Sequence, residues 1–273
     1  MIIDGKNIAL NIYDKIKGEV SILEKKPTLG AILVGKNPSS LRYIKQKQKW
    51  AEYTGINFHL IELDENVTEE ELLKQIKNFN KNDFISGYIV QLPLPKHINE
   101  KIIIDSINPK KDVDGFHPIN QGKILIGDNS GFIPCTPAGI MEIFKSENLD
   151  LAGKEICVIG RSNIVGKPIT SLLINSGATV ISCNSKTKDI SKYTALADIV
   201  IVAAGQPGLL KEKMLKKDST VIDVGFTVIN EKIYGDANTK EIDLAGHKIT
   251  PVPGGVGALT VAMLMSNTLK AHK

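Results

Sequence analysis

The turn from Gly160 to Gly166 is the first place where residue types and spacing suggest chemistry. It follows the apolar run Ile156–Ile159, which is typical of a buried parallel strand, and it leads into a helical segment. The first turn of a helix offers free N–H groups and a positive dipole to a pyrophosphate. Ser162 replaces the second glycine of the standard dinucleotide motif and Gly166 comes one residue late, so the turn alone could merely join strand to helix. The strand, turn, helix, strand order favours nucleotide binding.

The residues that end the next strand predict which dinucleotide binds. Thr179–Cys183 is the second strand, and the segment Asn184–Thr187 that follows it contains no carboxylate. An NAD enzyme usually places Asp or Glu there to bind the ribose 2′-hydroxyl. Hydroxyl and cationic side chains are present instead at Arg161, Ser185 and Lys186, and they suit a 2′-phosphate. The sequence therefore predicts NADP as the cofactor.

A second group of polar residues lies in the first half of the chain. Tyr43 and Lys47 are four residues apart in a predicted helix and share one face, although a solvated lysine beside a half-buried tyrosine has the same spacing. Gln91 ends a predicted strand, which is where open α/β sheets place their ligands. Asp112 and Asp114 lie in a predicted turn, where carboxylates more often serve the turn than a site. The convergence of these residues favours a binding site.

Taken together, these segments resemble one family, the methylenetetrahydrofolate dehydrogenase/cyclohydrolase enzymes of folate metabolism. The resemblance spans nearly the whole chain. The matching stretches, in chain order, are Asn37–Ser40 with Tyr43 and Lys47, Val90–Pro95, Lys111–Pro118, Pro134–Pro137, Gly160–Ser162, Val165–Pro168, Ala204–Pro207, Val221–Gly225 and Thr250–Gly257. So many segments in the family's order leave chance a negligible explanation.

The resemblance implies an enzyme with two activities. It would oxidise 5,10-methylenetetrahydrofolate with NADP and then hydrolyse the resulting methenyl cation to 10-formyltetrahydrofolate. One alternative is a dehydrogenase without cyclohydrolase activity, which Lys47 disfavours. A second alternative is a catalytically idle NADP-binding protein, which the intact set of Tyr43, Lys47, Gln91 and Asp114 disfavours.

The resemblance also implies a role for each site residue. Lys47 matches the family's catalytic lysine, and as a neutral amine with a lowered pKa it would accept a proton during water attack. Gln91 would hydrogen-bond this lysine, Tyr43 would stack on the aminobenzoyl ring, and Asp114 would bind the pterin N–H groups. These four are the predicted catalytic residues. The further substrate-binding residues are predicted at Pro253, Gly254 and Gly255, and the cofactor-binding residues at Gly160, Arg161, Ser162, Val165, Gly166, Ser185 and Gly205.

Four departures from the family pattern lie in the second half of the chain. They are Asn184 for His, Phe226-Thr227 for Ile-Asn, Ala237 after Gly235-Asp236, and Ala258-Leu259 for Pro-Met. The first two lie near the cofactor half and the last near the predicted active-site turn. They therefore bear on dehydrogenase rate and cofactor preference more than on the fold.

Alternating strands and helices must position these residues. Strands are predicted at Leu29–Val34, Ile56–Glu62, Tyr88–Gln91, Glu155–Ile159, Thr179–Cys183, Ile199–Ala203 and Thr220–Val224. Helices are predicted from Ile8 to Leu23, from Pro38 to Thr54, from Thr68 with Glu71 in capping-box spacing, after Thr136-Pro137 as cap and first residue, after each of the strands 155–159 and 179–183, and from Thr260 to Lys270.

This order predicts an α/β fold of two domains. Residues 1–137, completed by the terminal helix 258–273, would form an N-terminal α/β substrate domain. Residues 138–257 would form a Rossmann-like NADP domain, with the active-site cleft between the two. The family resemblance further implies a homodimer formed through the cofactor domain.

Composition narrows the functional classes. The net charge of +4 is spread over Lys-rich helices, which argues against nucleic-acid binding. The N-terminus lacks a signal-peptide pattern and no apolar run could span a bilayer, so we expect a cytoplasmic location and no membrane partner. Cys135, Cys157 and Cys183 are expected to be reduced core thiols, and the histidines lack metal-ligand spacing, so no metal is predicted.

Overall fold

Both halves of the chain form parallel sheets, because short apolar strands alternate with helical connections. The computed structural model describes all 273 residues, which separate into two compact units. The first unit contains Leu10–Cys135 and Val261–Lys273. The second unit contains Met1–Ala9 and Thr136–Thr260. The predicted two-domain α/β fold is confirmed.

The first unit is built on a three-stranded parallel sheet in the order β2-β1-β3. Its strands are β1 Thr28–Val34, β2 Asn57–Leu63 and β3 Gly87–Val90. The central strand β1 is almost wholly buried, as expected for a strand covered on both faces. Its Ala31 pairs with Leu60 on one side and with Ile89 on the other. This register places the ends of all three strands, and the loops that follow them, at one edge of the sheet.

The helices of the first unit begin and end at recognisable capping residues. Asn37 accepts hydrogen bonds from two N–H groups at the start of the second helix, and Gly55, with φ +76°, ends it. Thr68 and Glu71 form the predicted capping box. The helices are α1 Gly5–Ser21, which begins in the second unit, α2 Pro38–Thr54, α3 Glu69–Lys81, α4 Glu100–Asp105 and α5 Pro118–Leu125.

The second unit is built on a five-stranded parallel sheet in the order β10-β7-β6-β4-β5. An antiparallel hairpin accompanies this sheet. The strands are β4 Glu155–Ile159, β5 Thr179–Cys183, β6 Ile199–Val202, β7 Thr220–Asp223, β10 Lys248–Ile249, and the hairpin pair β8 Thr227–Ile229 and β9 Lys232–Tyr234. The helices are α6 Cys135–Ser146, α7 Gly166–Asn175, α8 Ser191–Thr194, a 3-10 turn Glu212–Met214, α9 Thr239–Leu244, and α10 Val256–His272, which ends in the first unit.

The first residues of the chain pack with the second unit. Ile3 N donates to Ile249 O at 2.9 Å, and Ile249 N donates to Met1 O at 3.0 Å, so this segment continues the sheet beyond β10. The terminal ammonium of Met1 donates to Asp243 Oδ1 at 2.6 Å. These bonds attach the N-terminus to residues more than 240 positions away in the sequence.

Two predicted helix starts are wrong. Helix α6 begins at Cys135, and the hydroxyl of Thr136 bonds to Thr260 Oγ1 at 3.0 Å instead of capping the helix. Helix α10 begins at Val256 instead of Thr260. Val256 and Gly257, predicted to belong to the glycine turn, adopt helical backbone. The helix predicted after β5 is present as a single turn, α8. Helix α1 begins three residues before the predicted Ile8. Other boundaries differ from the prediction by one or two residues, which is the usual fraying of element ends.

The structure contains no helix with the length and apolar character that crossing a bilayer requires. It also contains no group of three or more His, Cys, Asp or Glu side chains arranged to hold a metal ion. The cysteines are unpaired and buried.

Candidate active site

Lys47 and Gln91 meet at the carboxyl edge of the first sheet. Lys47 projects from α2, and Gln91 is the first residue after β3. Lys47 Nζ donates to Gln91 Oε1 at 2.9 Å. The other end of the amide, Nε2, donates to the Leu92 carbonyl at 2.7 Å, which fixes the amide so that its oxygen faces the amine. The structure thus brings together two of the predicted catalytic residues across 44 positions of sequence.

Burial controls the charge of Lys47. The half-buried position lowers the pKa of this amine below its usual value, and the carboxyl of Asp114 and the thiol of Cys135 oppose that shift. A lysine with a lowered pKa contains a larger neutral fraction near neutral pH. The neutral amine is the form that can accept a proton.

Asp114 is the acidic neighbour of this lysine. Burial raises the pKa of its carboxyl to about 6, although the positive charge of Lys47 lowers it and the nearby Asp112 raises it further. The thiol of Cys135 lies 3.9 Å from Asp114 Oδ1 and 3.4 Å from the Val113 carbonyl. Burial holds the pKa of this thiol well above its usual value, so Cys135 is a neutral, weak donor here.

Asp112 organises the turn that holds Asp114. Its buried carboxylate accepts N–H bonds from Gly115 at 3.1 Å, Phe116 at 3.3 Å and His117 at 2.8 Å. It also accepts a bond from Asn120 Nδ2 at 2.8 Å. Burial raises the pKa of this carboxyl, and these hydrogen bonds lower it. Of the two carboxylates in the predicted turn, Asp112 therefore serves the turn, and Asp114 faces the lysine.

Asn267 is a residue near the site that sequence reasoning missed. It lies on α10 and is 7% exposed. Its Nδ2 donates to the Val113 carbonyl at 2.8 Å and to the Ile133 carbonyl at 3.0 Å. These bonds attach α10 to the backbone directly before Asp114 and to the segment that contains Ile133. No local pattern marked Asn267, because its partners are more than 130 residues away.

Tyr43 lies one helical turn before Lys47 on α2, with 37% of its surface exposed. Burial of the rest of the ring raises the pKa of its hydroxyl. Beyond the start of this helix, a groove of about 480 Å³ opens between the segments that follow β1, β2 and β3. Asn37, Glu65 and Pro95 are among its lining residues. Tyr43 is a partly exposed aromatic residue on the same helix as Lys47.

In the second unit, the predicted cofactor residues gather at the carboxyl ends of β4 and β6. The strand order reverses there, since β5 and β6 lie on opposite sides of β4. Such a switch point is where open α/β sheets bind dinucleotides. Gly160 has φ +128°, and a Cβ there would overlap the Ala203 carbonyl, which follows β6. A Cβ at Gly166 would overlap the Gly160 carbonyl. The two glycines therefore keep the backbone at this point free of side chains.

The polar cofactor residues surround the start of α7 and the end of β5. Ser162 Oγ accepts from Val165 N at 3.2 Å and from Gly166 N at 3.4 Å, so its own proton is available to an anion. Arg161 and Ser185 are exposed. Asn184 is one of the departures from the family pattern. Its Oδ1 accepts a hydrogen bond from Lys186 N at 3.0 Å, which closes the loop that contains Ser185. A phosphate group fits these residues, because they present cationic and hydroxyl donors with no opposing carboxylate.

The glycine turn predicted to bind substrate belongs to the second unit and packs on the start of α1. A Cβ at Gly5 would overlap the Gly255 carbonyl. Gly254 has φ +112° and lies against the stem of Lys6. Pro253 precedes it in the same turn. The structure does not place these residues in the unit that contains Lys47 and Asp114.

The remaining departures occupy distinct places in the second unit. Phe226 is 49% exposed, and Thr227 begins the hairpin strand β8. Ala237 is buried and pairs with Leu210. Leu259 is fully buried on α10, where a Cβ at Gly139 would lie 2.8 Å from its own Cβ. Leu259, which departs from the family pattern, therefore serves packing within the second unit.

Comparison with known sequences gives one family for both units. The family described as "Tetrahydrofolate dehydrogenase/cyclohydrolase, catalytic domain" matches residues 3–114. The family described as "Tetrahydrofolate dehydrogenase/cyclohydrolase, NAD(P)-binding domain" matches residues 134–273. The bifunctional protein FolD of Bacillus pumilus is 49% identical over 276 residues, which cover 100% of this chain and 97% of the relative.

Solved structures agree with the sequence comparison. The bifunctional FolD enzyme, a methylenetetrahydrofolate dehydrogenase/cyclohydrolase, from Campylobacter jejuni superposes with a TM-score of 0.98 at 46% identity, covering 100% of this chain and 98% of that one. The methylenetetrahydrofolate dehydrogenase-cyclohydrolase of Trypanosoma brucei, solved with NADP cofactor and an inhibitor, gives a TM-score of 0.94 at 36% identity, covering 100% and 97%.

Proposed function

Because this chain belongs to the tetrahydrofolate dehydrogenase/cyclohydrolase family, we propose that Tyr43, Lys47, Gln91 and Asp114 carry its chemistry. The protein is an NADP-dependent enzyme that oxidises 5,10-methylenetetrahydrofolate to 5,10-methenyltetrahydrofolate and hydrolyses this product to 10-formyltetrahydrofolate. The observation that carries the residue assignment is the contact of Lys47 with Gln91 beside the partly buried carboxyl of Asp114.

The first step requires positioning. When bound, NADP accepts the hydride from the methylene carbon of the folate. Asp114 binds the amino and ring N–H groups of the pterin, which suit a carboxylate acceptor. Tyr43 stacks on the aminobenzoyl ring. The two contacts hold the folate at both ends, so the carbon between them has a fixed place relative to Lys47.

The second step requires a proton acceptor. Water attacks the cationic methenyl carbon, and the neutral amine of Lys47 takes a proton from it before the ring opens. Burial already lowers the pKa of Lys47, and the positive charge of the substrate would lower it further. Gln91 keeps the amine pointed at the site through an acceptor oxygen that contributes no charge.

The cofactor site uses the second unit. Gly160, Val165 and Gly166 form the turn on which the pyrophosphate lies, where the two glycines leave room for its close approach. Gly205 adds a backbone position without a side chain. The side chains of Arg161, Ser162 and Ser185 bind the phosphate groups, including the 2′-phosphate. Pro253, Gly254 and Gly255 supply a further wall for the substrate.

The direct test follows reduced cofactor and methenyl product separately, with methylenetetrahydrofolate and either NADP or NAD. We expect NADP to be reduced faster than NAD, with 10-formyltetrahydrofolate as the end product. Equal accumulation of reduced NADP and methenyl product would indicate a dehydrogenase alone. Folate and NADP binding without turnover would indicate an idle binding protein.

We also propose that the protein forms a homodimer through its second unit. The hairpin there exposes apolar side chains, among them Val228, Ile229 and Tyr234 at 43–50% exposure. Val228→Asp should shift the mass measured by light scattering from dimer towards monomer. Phe84→Asp, which changes an exposed apolar residue of the first unit, is the control and should leave the mass unchanged.

We also propose that the protein is located in the cytoplasm. The cysteines are buried and unpaired, which suits a reducing compartment. Cell fractionation tests this location, and recovery of the protein in an extracytoplasmic fraction would contradict it.

A further inference from the structure

Two fully buried carboxylates, Asp223 and Asp236, lie beside the loop that follows β6. Asp223 ends β7, and Asp236 follows the hairpin strand β9. Both side chains are 0% exposed. Buried carboxylates are costly unless hydrogen bonds satisfy them, so the pair requires an explanation.

Asp223 anchors the segment that carries Asp236. Its Oδ1 accepts from Asp236 N at 3.0 Å, and its Oδ2 accepts from Ala237 N at 2.9 Å. Gly225 and Gly235 leave room for the two carboxylates. A Cβ at Gly225 would lie 2.5 Å from Asp236 Oδ1, and a Cβ at Gly235 would overlap Asp223 Oδ2.

Asp236 in turn holds the loop after β6. Its Oδ2 accepts from Ala204 N at 2.6 Å and from Gly205 N at 2.8 Å. Its backbone carbonyl accepts from Leu210 N at 3.0 Å. Its other carboxylate oxygen, Oδ1, is buried without a hydrogen-bond partner. A fully buried carboxylate that makes two short bonds to one loop indicates that the loop conformation matters.

The loop that Asp236 holds lies at the switch point. Ala203 N donates to Ile159 O at 2.8 Å, so the loop begins directly beside the Gly160 turn. Gly205 has φ +66°, and nothing lies within 4 Å of the place where its Cβ would be. The loop therefore presents an open face of backbone at the point where a dinucleotide crosses the sheet.

The direction of the cofactor decides which of its halves meets this loop. The 2′-phosphate is assigned to Ser185, at the end of β5, on one side of β4. A dinucleotide that crosses the switch point must then place its other half over β6, on the opposite side. That half contains the nicotinamide. Because a trans peptide points its C=O opposite to its N–H, the bonds to Asp236 also turn the Ala203 and Ala204 carbonyls away from Asp236.

We propose that Asp236 is a positioning residue for the nicotinamide half of NADP, acting through the Ala204–Gly205 backbone. The proposal rests on the proposed function, because the cofactor site is assigned there. Asp223 supports the same loop indirectly, by fixing the backbone of Asp236. Neither carboxylate touches the cofactor, since both are fully buried.

The test measures the dissociation constant of NADP by calorimetry, together with the kinetics of both activities. The variants are Asp236→Ala and Asp236→Asn. Asp198→Ala is the matched control, because Asp198 also accepts a backbone N–H in this unit, from Glu155 at 3.0 Å, but at the amino end of the same sheet. The cyclohydrolase step is assayed from methenyltetrahydrofolate without cofactor, so it reports on the integrity of the other site.

Asp236→Ala should weaken NADP binding and lower dehydrogenase kcat/KM by about 10- to 100-fold, the factor expected when hydrogen bonds to a charged group are lost. Cyclohydrolase activity and the KM for folate should change less than twofold. Asp236→Asn keeps an oxygen that can accept both N–H groups, and it should recover most of the loss. Asp198→Ala should bind NADP like the wild type.

Two results would overturn the proposal. One is unchanged NADP binding in a folded Asp236→Ala variant. The other is an equal fall in the dehydrogenase and cyclohydrolase activities, which would mean that Asp236 only stabilises the fold. A wild type that fails to reduce NADP would instead contradict the proposed function itself.

Discussion

The site residues show how burial prepares ordinary side chains for chemistry. Lys47 and Asp114 are both displaced from their usual pKa in the direction of the neutral form, the lysine downwards and the aspartate upwards. Desolvation is the largest cause in each case, and the mutual attraction of the pair opposes it. A base and a carboxyl that both titrate closer to neutral pH are suited to proton transfer and to pH-dependent binding.

Folate binding should therefore depend on the charge of Asp114. The pKa of about 6 means that the carboxylate prevails above pH 6 and the neutral acid below it. Only the carboxylate accepts from both pterin N–H groups, so affinity for a folate analogue should fall as the pH is lowered through 6, by at most about tenfold per unit. Calorimetric titration at several pH values measures this fall.

Asp114→Asn provides the control for this pH dependence. It should bind the analogue weakly at every pH, by about 1 to 3 kcal/mol, because a pterin donor is left unpaired. NADP binding should be unchanged. A variant that retains the pH dependence of the wild type would assign the titration to another group.

The cofactor preference depends on Ser185. Ser185→Asp places a carboxylate against the 2′-phosphate and offers the 2′-hydroxyl of NAD an acceptor. The NADP penalty should be on the order of 1 to 3 kcal/mol, read as the change in the NADP to NAD ratio of kcat/KM. Thr179→Asp is the control, because Thr179 is exposed at the opposite end of the same strand. A wild type that prefers NAD would contradict the 2′-phosphate assignment.

Sequence could predict the residues of this site but only part of their surroundings. Tyr43, Lys47 and Gln91 could be identified because helical spacing and a strand end carry local signals. Cys135 was predicted only as a core thiol, and its position beside Asp114 depends on a turn that forms 21 residues earlier in the chain. Asp223 and Asp236 carried no signal of partnership, because the hairpin between them brings them together.

At the scale of elements, helix α10 supports the Asp114 turn through Asn267. Asn267→Ala would leave the buried Val113 and Ile133 carbonyls without this donor, at about 1 to 3 kcal/mol each. The free energy of unfolding, measured with urea, should fall by about 2 to 6 kcal/mol. Asn78→Ala, at an exposed helical position, should cost less than about 0.5 kcal/mol. Equal stability of the two variants would show that the Asn267 bonds contribute nothing net.

The elements themselves could be predicted where the local pattern decides them. The α3 capping box and the strands of both sheets were predicted correctly, except for the two-residue strand β10, because apolar runs and capping spacing are local. The short helices α4, α5 and α9 and the β8–β9 hairpin were not predicted, since they are too short to show a clear period. The start of α6 was wrong because a tertiary bond from Thr136 to Thr260 replaces the expected cap.

At the scale of the whole molecule, the two ligands are assigned to different units. The folate residues Tyr43, Lys47, Gln91 and Asp114 all lie in the first unit. The cofactor residues from Gly160 to Gly205 all lie in the second. Variants of these four folate residues should therefore change the affinity for folate and spare that for NADP, and variants of these cofactor residues should do the reverse. The contribution of Met1–Ala9 to the second unit carries no sequence signal, because it depends on pairing with Ile249.

The central claim is that Lys47 is the base of the hydrolysis step and is not required for hydride transfer. The decisive measurement compares Lys47→Met with the wild type, using methylenetetrahydrofolate and NADP, and follows reduced cofactor and methenyl product separately. Lys45→Met, an exposed lysine on the same helix, is the control and should behave like the wild type. Lys47→Met should still reduce NADP while methenyltetrahydrofolate accumulates, because hydrolysis alone needs the amine. Equal loss of both activities in a folded variant that still binds folate would contradict the claim and make Lys47 a residue that positions the substrate.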